Sequence, residues 1–131
     1  MLTVTIYSFS YRVGIPKDTS DNGGGFVFDC RALHNPGRYD EYKQMNGLDE
    51  PVKAFLRKES AVDVFLDAVK VLVIQAIDCY LKRNFTNLMV CFGCTGGQHR
   101  SVYCAQYLSD YLQAEYPHIQ VKLIHREQEK K

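Results

Sequence analysis

The chain has no excess of charge of either sign. Sixteen Lys and Arg stand against fifteen Asp and Glu, a net charge of +1. Bulk charge therefore does not argue for nucleic acid, and any basic surface must be local. No apolar run is long enough and clean enough to cross a bilayer. The longest, residues 62–81, is interrupted by Asp63, Asp67, Lys70, Gln75 and Asp78 and reads as a core helix. No secretory signal is expected, because Leu2 to Phe9 is short and alternates with polar residues. There is no G-x-x-x-x-G-K-[ST] segment, which excludes a Walker-type nucleotide loop from these residues. Internal repeats, low-complexity tracts and linkers are lacking too. The cysteines do not make an even set: five are scattered through apolar runs, the usage of reduced thiols in a cytoplasmic protein.

What is present describes one domain, residues 1–131, with 46% hydrophobic and 24% charged residues. Leu2, Val4 and Ile6 alternate with Thr3, Thr5 and Tyr7, the period of a half-buried strand. Residues 11–25 read as a loop that ends in the flexible triple glycine Gly23-Gly24-Gly25. Phe26-Val27-Phe28 is a short strand ending at Asp29, and residues 30–48 show no period beyond the turn signal Asn35-Pro36-Gly37. Asp49-Glu50-Pro51 starts a helix. Ser60-Ala61-Val62-Asp63 resembles a capping box, opening a helix to about Arg83 that is apolar on most faces and stops at Asn84. Leu88 to Phe92 has no alternation, as in a strand covered on both faces. A helix follows from about Val102 or Tyr103 to Tyr116, closed by Pro117. Val121 to Ile124 is the last strand, and residues 125–131 form a charged tail. Strands alternating with helices predict an α/β layered domain with a small, mostly parallel sheet flanked by helices.

The segment Cys94-Thr95-Gly96-Gly97-Gln98-His99-Arg100-Ser101 lies between the buried strand and the helix. Adjacent glycines at a helix start can turn several N–H groups into one concavity, and the helix dipole adds to that field. Arg100 supplies a planar fork of donors and His99 a titratable ring. Thr95, Gly96, Gly97, His99, Arg100 and Ser101 are therefore the candidate phosphate site. In parallel sheets ligands bind beyond the carboxyl ends of the strands. Residues 8–16 with Arg12, and residues 29–39 with Asp29, Arg31, His34, Asn35 and Arg38, should converge there with the Cys94 turn. Asp29, Arg31, Asn35 and Arg38 are candidate pocket residues, with Asp29 placed to take a hydroxyl or amine. A salt bridge from Arg31 to Asp29 or Glu50 is an equal alternative to a ligand contact.

Cys94 and Arg100 are separated by five residues and followed by Ser101, the spacing of the protein-tyrosine-phosphatase loop. Such a mechanism needs an attacking thiolate and a general acid on another loop. Asp49-Glu50-Pro51 is the nearest candidate acid and is better explained as a helix start. Gly93 stands where many such enzymes carry histidine. Cys91-Phe92-Gly93-Cys94 is a C-x-x-C, but Cys91 falls inside the buried strand, which argues against redox chemistry. Zinc would need two ligands beyond this pair, so no metal and no cofactor are expected.

Several motifs in order resemble one family. Ser8-Phe9-Ser10-Tyr11-Arg12-Val13-Gly14-Ile15-Pro16 resembles its S-F-x-[FY]-[KR]-x-G-x-P opening, and Phe28-Asp29-Cys30-Arg31 its F-D-x-R. Asn35-Pro36 and Asn46-Gly47-Leu48-Asp49-Glu50-Pro51-Val52 resemble its N-P and [TN]-G-L-D-x-P-V. Cys94 to Ser101 resembles its C-T-G-G-[KQ]-H-R-S, and His125-Arg126 its late H-R. The family is the C-terminal domain of the RNase adapter RapZ. The resemblance implies a phosphofructokinase-subdomain-like fold, a non-enzymatic sensor and adapter, binding of glucosamine-6-phosphate, binding of RNA, and self-association into a homo-oligomer. It places the anion site on Thr95, Gly96, Gly97, His99 and Arg100. Arg12, Lys17, Arg126, Lys130 and Lys131 are the RNA-binding candidates, and no membrane partner is expected. The chain departs from the pattern in places. Gly37 and Arg38 follow Asn-Pro where histidine is common, and Gln98 replaces a common lysine. The loop from Asp18 to Gly25 is longer, and Glu127 and Glu129 dilute the tail. The P-loop half of RapZ proteins is expected to be absent, so nucleotide binding is not carried over.

Overall fold

The computed structural model describes residues 1–21 and 24–130. Gly23 of the triple glycine and Lys131 of the tail lie outside the described residues. The strands are β1 (Thr3–Ser10), β2 (Gly25–Asp29), β3 (Asn87–Cys94) and β4 (Gln120–His125). The helices are α1 (Glu50–Arg57), α2 (Ser60–Lys82) and α3 (Arg100–Glu115). Two 3-10 turns, Pro36–Arg38 and Asp40–Tyr42, interrupt the segment that has no period. All pairings are parallel, in the order β2-β3-β1-β4. The register sets Ser10 beside Cys94, so β1 and β3 end at the same level.

The order of strands explains the layers. The steps β2 to β3 and β3 to β4 run in the same direction across the sheet, so right-handed crossovers place all three helices on one face. The step β1 to β2 runs backwards, which sends its connection over the other face. The side chains agree. Val4 and Ile6 of β1, Leu88, Val90 and Phe92 of β3, and Val121 and Leu123 of β4 pack with the helices. Met89 and Cys91 pack on the opposite face with Phe9, Tyr7 and Tyr11. β3 is thus covered on both faces, with helices on one side only. Gly93 makes the second face possible, because a Cβ there would stand 2.4 Å from the Phe9 ring and 2.6 Å from Tyr11.

Three local expectations change. Ser60 is the first helical residue of α2, not its cap; extended Glu59 precedes it, and no side chain caps the helix. Nor is α2 enveloped by the core. Val62, Leu66, Val69, Val73 and Ile77 form one buried stripe, while Val64 and Val71 remain 70% and 67% exposed. The helix layer covers only one side of it, whatever its composition. α3 begins at Arg100, earlier than its apolar period, and Arg100 to Ala105 are all buried. The end of α2 matches the expected stop. Asn84 is left-handed at φ 58°. Asn84 N–H bonds Leu81 C=O and Phe85 N–H bonds Tyr80 C=O, with the Tyr80 and Phe85 rings 4.9 Å apart.

Candidate anion-binding site

β1 and β3 are neighbours whose connections leave toward opposite faces. That divergence opens a crevice at their carboxyl ends. Its floor is tied by Tyr11 N–H to Cys94 C=O at 3.0 Å and Ser10 Oγ–H to Thr95 C=O at 2.7 Å. The crevice is a cleft of about 370 Å³ whose wall includes Arg12, Asn35, Lys43, Thr95, Gly96 and His99.

The two glycines do different work. Gly97 is left-handed at φ 64°, and a Cβ there would stand 2.7 Å from Glu127 Cγ and 2.9 Å from Ser10 N. It is required by the turn and by close approach of the β1 end. Gly96 is not left-handed, and nothing lies within 4 Å of the place its Cβ would take. It leaves the cleft wall as bare backbone.

His99 precedes α3 and donates through Nε2 to Tyr42 C=O at 2.9 Å. That bond places a proton on Nε2 and leaves Nδ1 on the side of Gly37. Gln98 Nε2 donates to the carbonyls of Lys43 and Met45 at 2.8 and 2.6 Å. A Cβ on Gly47 would stand 2.4 Å from His99 C=O, so residues 42–47 lie directly on the start of α3. This packing brings Lys43 to the cleft. Arg100 is only 5% exposed. Its Nη1 donates to the carbonyls of Arg31 and Leu33 at 2.9 and 3.0 Å, and its buried Nε has no partner. Ser101 meets Cys94 rather than the cleft: its Oγ accepts from Sγ at 3.2 Å, and its N–H approaches Sγ at 3.5 Å.

Residues 125–128 are not a solvated tail, although Glu129 and Lys130 after them are exposed. His125 Nδ1 pairs with Ser8 Oγ at 2.7 Å, and Arg126 Nη2 donates to Gly14 C=O at 2.6 Å. Glu127 Oε2 accepts from Ser10 N–H at 2.7 Å, and Gln128 Nε2 donates to Gly97 C=O at 2.9 Å. Four successive side chains thus buttress the turn from behind. The Glu127 carboxyl is 9% exposed. Burial pushes its pKa up, but Arg126, the Ser10 amide and Lys130 outweigh that and hold it below the usual carboxylate value.

The other predicted residues divide. Asn35 lies on the cleft wall, with Oδ1 accepting from Gly37 N–H at 2.9 Å, and Arg38 bounds an adjoining hollow. Asp29 is held by Arg31 through Nε at 3.0 Å and Nη2 at 2.7 Å, while Arg31 lies 3.8 Å over the Tyr11 ring. That contact lowers the Asp29 pKa. Arg12 lines the cleft, but Lys17 lies against the opposite sheet face near Thr5 and Lys122. Arg126 and Lys130 both pair with Glu127. Sequence reasoning missed Lys43, the anchoring role of Gln98, and Glu127. Lys43 sits where no period reports placement, and Glu127 looks like any charge in a tail.

This arrangement can be set beside known proteins. The sequence profile of the RapZ C-terminal domain matches residues 2–129. The chain belongs to this family. A nucleotide-binding protein of Pseudoalteromonas translucida is 40% identical over 129 residues, covering 98% of this chain and 43% of the relative. One from Alteromonas mediterranea is 38% identical over 126 residues, covering 96% and 42%. One from Bacillus licheniformis is 35% identical over 129 residues, covering 98% and 41%. The chain therefore spans about two-fifths of the length of these relatives. The nucleotide binding in their names is that of proteins more than twice as long. The motifs of the resemblance meet at this end of the sheet: S-F-x-Y-R at the end of β1, N-P on the cleft wall, C-T-G-G-x-H-R-S at the turn, and H-R behind it.

Proposed function

We propose that this RapZ C-terminal domain is a non-enzymatic sensor and adapter whose cleft binds a phosphorylated small molecule. Glucosamine-6-phosphate is the ligand that the family resemblance favours. The observation that carries the reading is Arg100, a buried guanidinium that shares the cleft wall with Gly96, with Nη1 tied to two carbonyls and Nε unpartnered. A buried charge-bearing group without a partner is costly unless something completes its bonding. Arg12 adds positive charge, Lys43 reaches the cleft while paired with Asp40 at 2.9 Å, and no Asp or Glu among the described residues lines the cleft. His99 Nδ1 is the ring atom left for a polar group of the ligand. A thermal-shift series with glucosamine-6-phosphate, glucosamine, inorganic phosphate and sulfate tests it. A ligand that binds only the folded state raises the midpoint. Glucosamine-6-phosphate should raise it most, phosphate and sulfate less, and glucosamine least. No shift with any of the anions rejects the site.

Cysteine-dependent phosphatase chemistry is the second reading, favoured by the Cys94 contacts with Ser101 at the helix start. It ranks lower because no Asp or Glu among the described residues lines the cleft as a general acid. Asp49, the sequence candidate, instead accepts from Asn46 N–H at 2.9 Å through Oδ2. The protein should not hydrolyse an activated aryl phosphate above background, and Cys94→Ser should leave phosphate binding nearly intact. Turnover abolished by Cys94→Ser reverses the ranking. RNA binding and self-association complete the proposed adapter role, with Arg12 on the cleft rim and Lys130 at the chain end as the first phosphate contacts to test.

A further inference from the structure

Two hollows adjoin at the carboxyl end of the sheet. Behind the anion cleft of about 370 Å³ lies another of about 400 Å³, bounded by Arg31, Leu33 and Arg38. The two share Asn35, Thr95 and Arg100. Each is within the size of an ordinary small-molecule site. No Asp or Glu among the described residues lines either one.

Each hollow carries its own uncompensated cation. Arg12 stands in the first and Arg38 in the second, and neither guanidinium has a carboxylate partner among the described residues. Arg31, by contrast, is spent on Asp29. Between the hollows stands Arg100, buried, its Nη1 tied to two carbonyls and its Nε unpartnered. Asn35 also lies on the boundary. Its Oδ1 takes the Gly37 N–H, which leaves its amide NH₂ as a donor. One phosphate at Gly96 would satisfy the first hollow and leave Arg38 unanswered. Two like charges flanking one polar body are complemented by a ligand with an anionic group at each end.

We infer that the cleft is a two-subsite pocket for a small bis-anionic sugar derivative, of the hexose bisphosphate class. One phosphoryl group sits at Gly96 and Arg12, the second at Arg38, and the hydroxyl-bearing ring spans Asn35. The inference rests on the reading of the first hollow as a phosphate site and adds the second subsite to it.

Calorimetric titration of the full chain tests both parts. The probes are glucosamine-6-phosphate, glucose 6-phosphate and glucose 1,6-bisphosphate at one fixed salt concentration. The bisphosphate should bind tighter than either monophosphate by about ten-fold or more, the increment of one added charge-assisted hydrogen-bonded pair. Arg38 is exposed, so Arg38→Ala should fold normally. It should reduce bisphosphate affinity to that of the monophosphates and leave monophosphate affinity unchanged, with partial recovery in Arg38→Lys. Equal affinities for all three probes, or a bisphosphate gain that survives Arg38→Ala, overturn the second subsite and leave the first standing. Failure of every probe to bind removes the phosphate reading and this inference with it. A 5′-phosphorylated dinucleotide that shows the Arg38-dependent gain in place of the bisphosphate also overturns the inference and assigns the second hollow to a nucleic-acid backbone.

Discussion

Single residues at the turn separate structure from recognition. Gly96 and Gly97 are adjacent and chemically identical, yet their surroundings predict opposite outcomes. Gly97→Ala forces a left-handed alanine, which costs roughly 1–2 kcal/mol. It also drives a methyl into Ser10 N and Glu127 Cγ. A clear fall in the urea midpoint is expected. Gly96→Ala meets no atom within 4 Å and needs no unusual backbone. Its stability should stay within about 0.5 kcal/mol of the parent. Its methyl would stand on the bare cleft wall, so phosphate affinity should fall about ten-fold or more. Calorimetry and urea titration of both variants check the pair. A Gly96→Ala protein that binds phosphate like the parent contradicts the placement of the anion.

At the scale of elements, the unforeseen one is the segment 125–130. A charged sequence at the end of a chain ordinarily stays in water, because burying its charges costs more than it returns. Here the inward-facing groups are answered: Arg126 by Gly14 and Glu127, Glu127 by Ser10 and Lys130, Gln128 by Gly97, while Glu129 stays exposed. Glu127→Ala leaves the buried Ser10 N–H without an acceptor and should cost about 1–3 kcal/mol. It should also weaken phosphate binding, since the Gly97 turn loses its backing. Glu127→Gln keeps an acceptor and should be milder in both measurements. Equal stability of Glu127→Ala and the parent would show that this segment does not hold the turn. The pairing matters for RNA as well, because Arg126 and Lys130 must leave Glu127 or share it to meet a phosphate.

For the molecule as a whole, two titrations read the same architecture. The His125 ring is two-sidedly bonded, to Ser8 Oγ at 2.7 Å and through Nε2 to Gln106 Oε1 at 3.3 Å. Burial lowers its pKa below the ordinary 6.5. The unfolded chain therefore takes up a proton first as pH falls, and stability declines from about pH 6.5 downward. Glu127 is held below its ordinary 4.5, so its contribution is present at neutral pH and lost as pH falls below 4.5. Asp29, also depressed, adds to the second decline. Melting temperatures followed from pH 8 to 3 should fall in two stages, and His125→Gln should remove the first. A parent profile flat through the upper stage contradicts the buried neutral ring. The second titration is with salt. RNA affinity should fall with salt by a slope near 0.7 per neutralised single-strand phosphate. Replacing Lys130 and Lys131 by alanine should reduce that slope by about one to one and a half and weaken different RNAs alike. Lys17 lies on the other sheet face, so Lys17→Ala should alter the slope only if RNA reaches round the sheet edge. Absence of any gel shift at low salt and micromolar protein would remove RNA from the proposal.

The sequence by itself determined the elements that depend on near neighbours. The alternation in β1, the unbroken apolar run of β3, Pro51 at the start of α1 and left-handed Asn84 after α2 are all local steric or periodic signals. The Cys94–Ser101 turn was legible for the same reason, since glycines between a buried strand and a helix are local too. Tertiary structure decided what those signals cannot carry. Whether α2 is enveloped or half exposed depends on which face of the sheet the crossovers take. Whether Arg31 meets a ligand or Asp29 depends on where Tyr11 lies. Lys43 reaches the cleft only because Gly47 lets residues 42–47 lie on α3, and Glu127 is buried only because Ser10, more than a hundred residues earlier, presents an unpaired amide. Each of these is a contact between segments distant in sequence, and period, propensity and spacing contain no information about such distances.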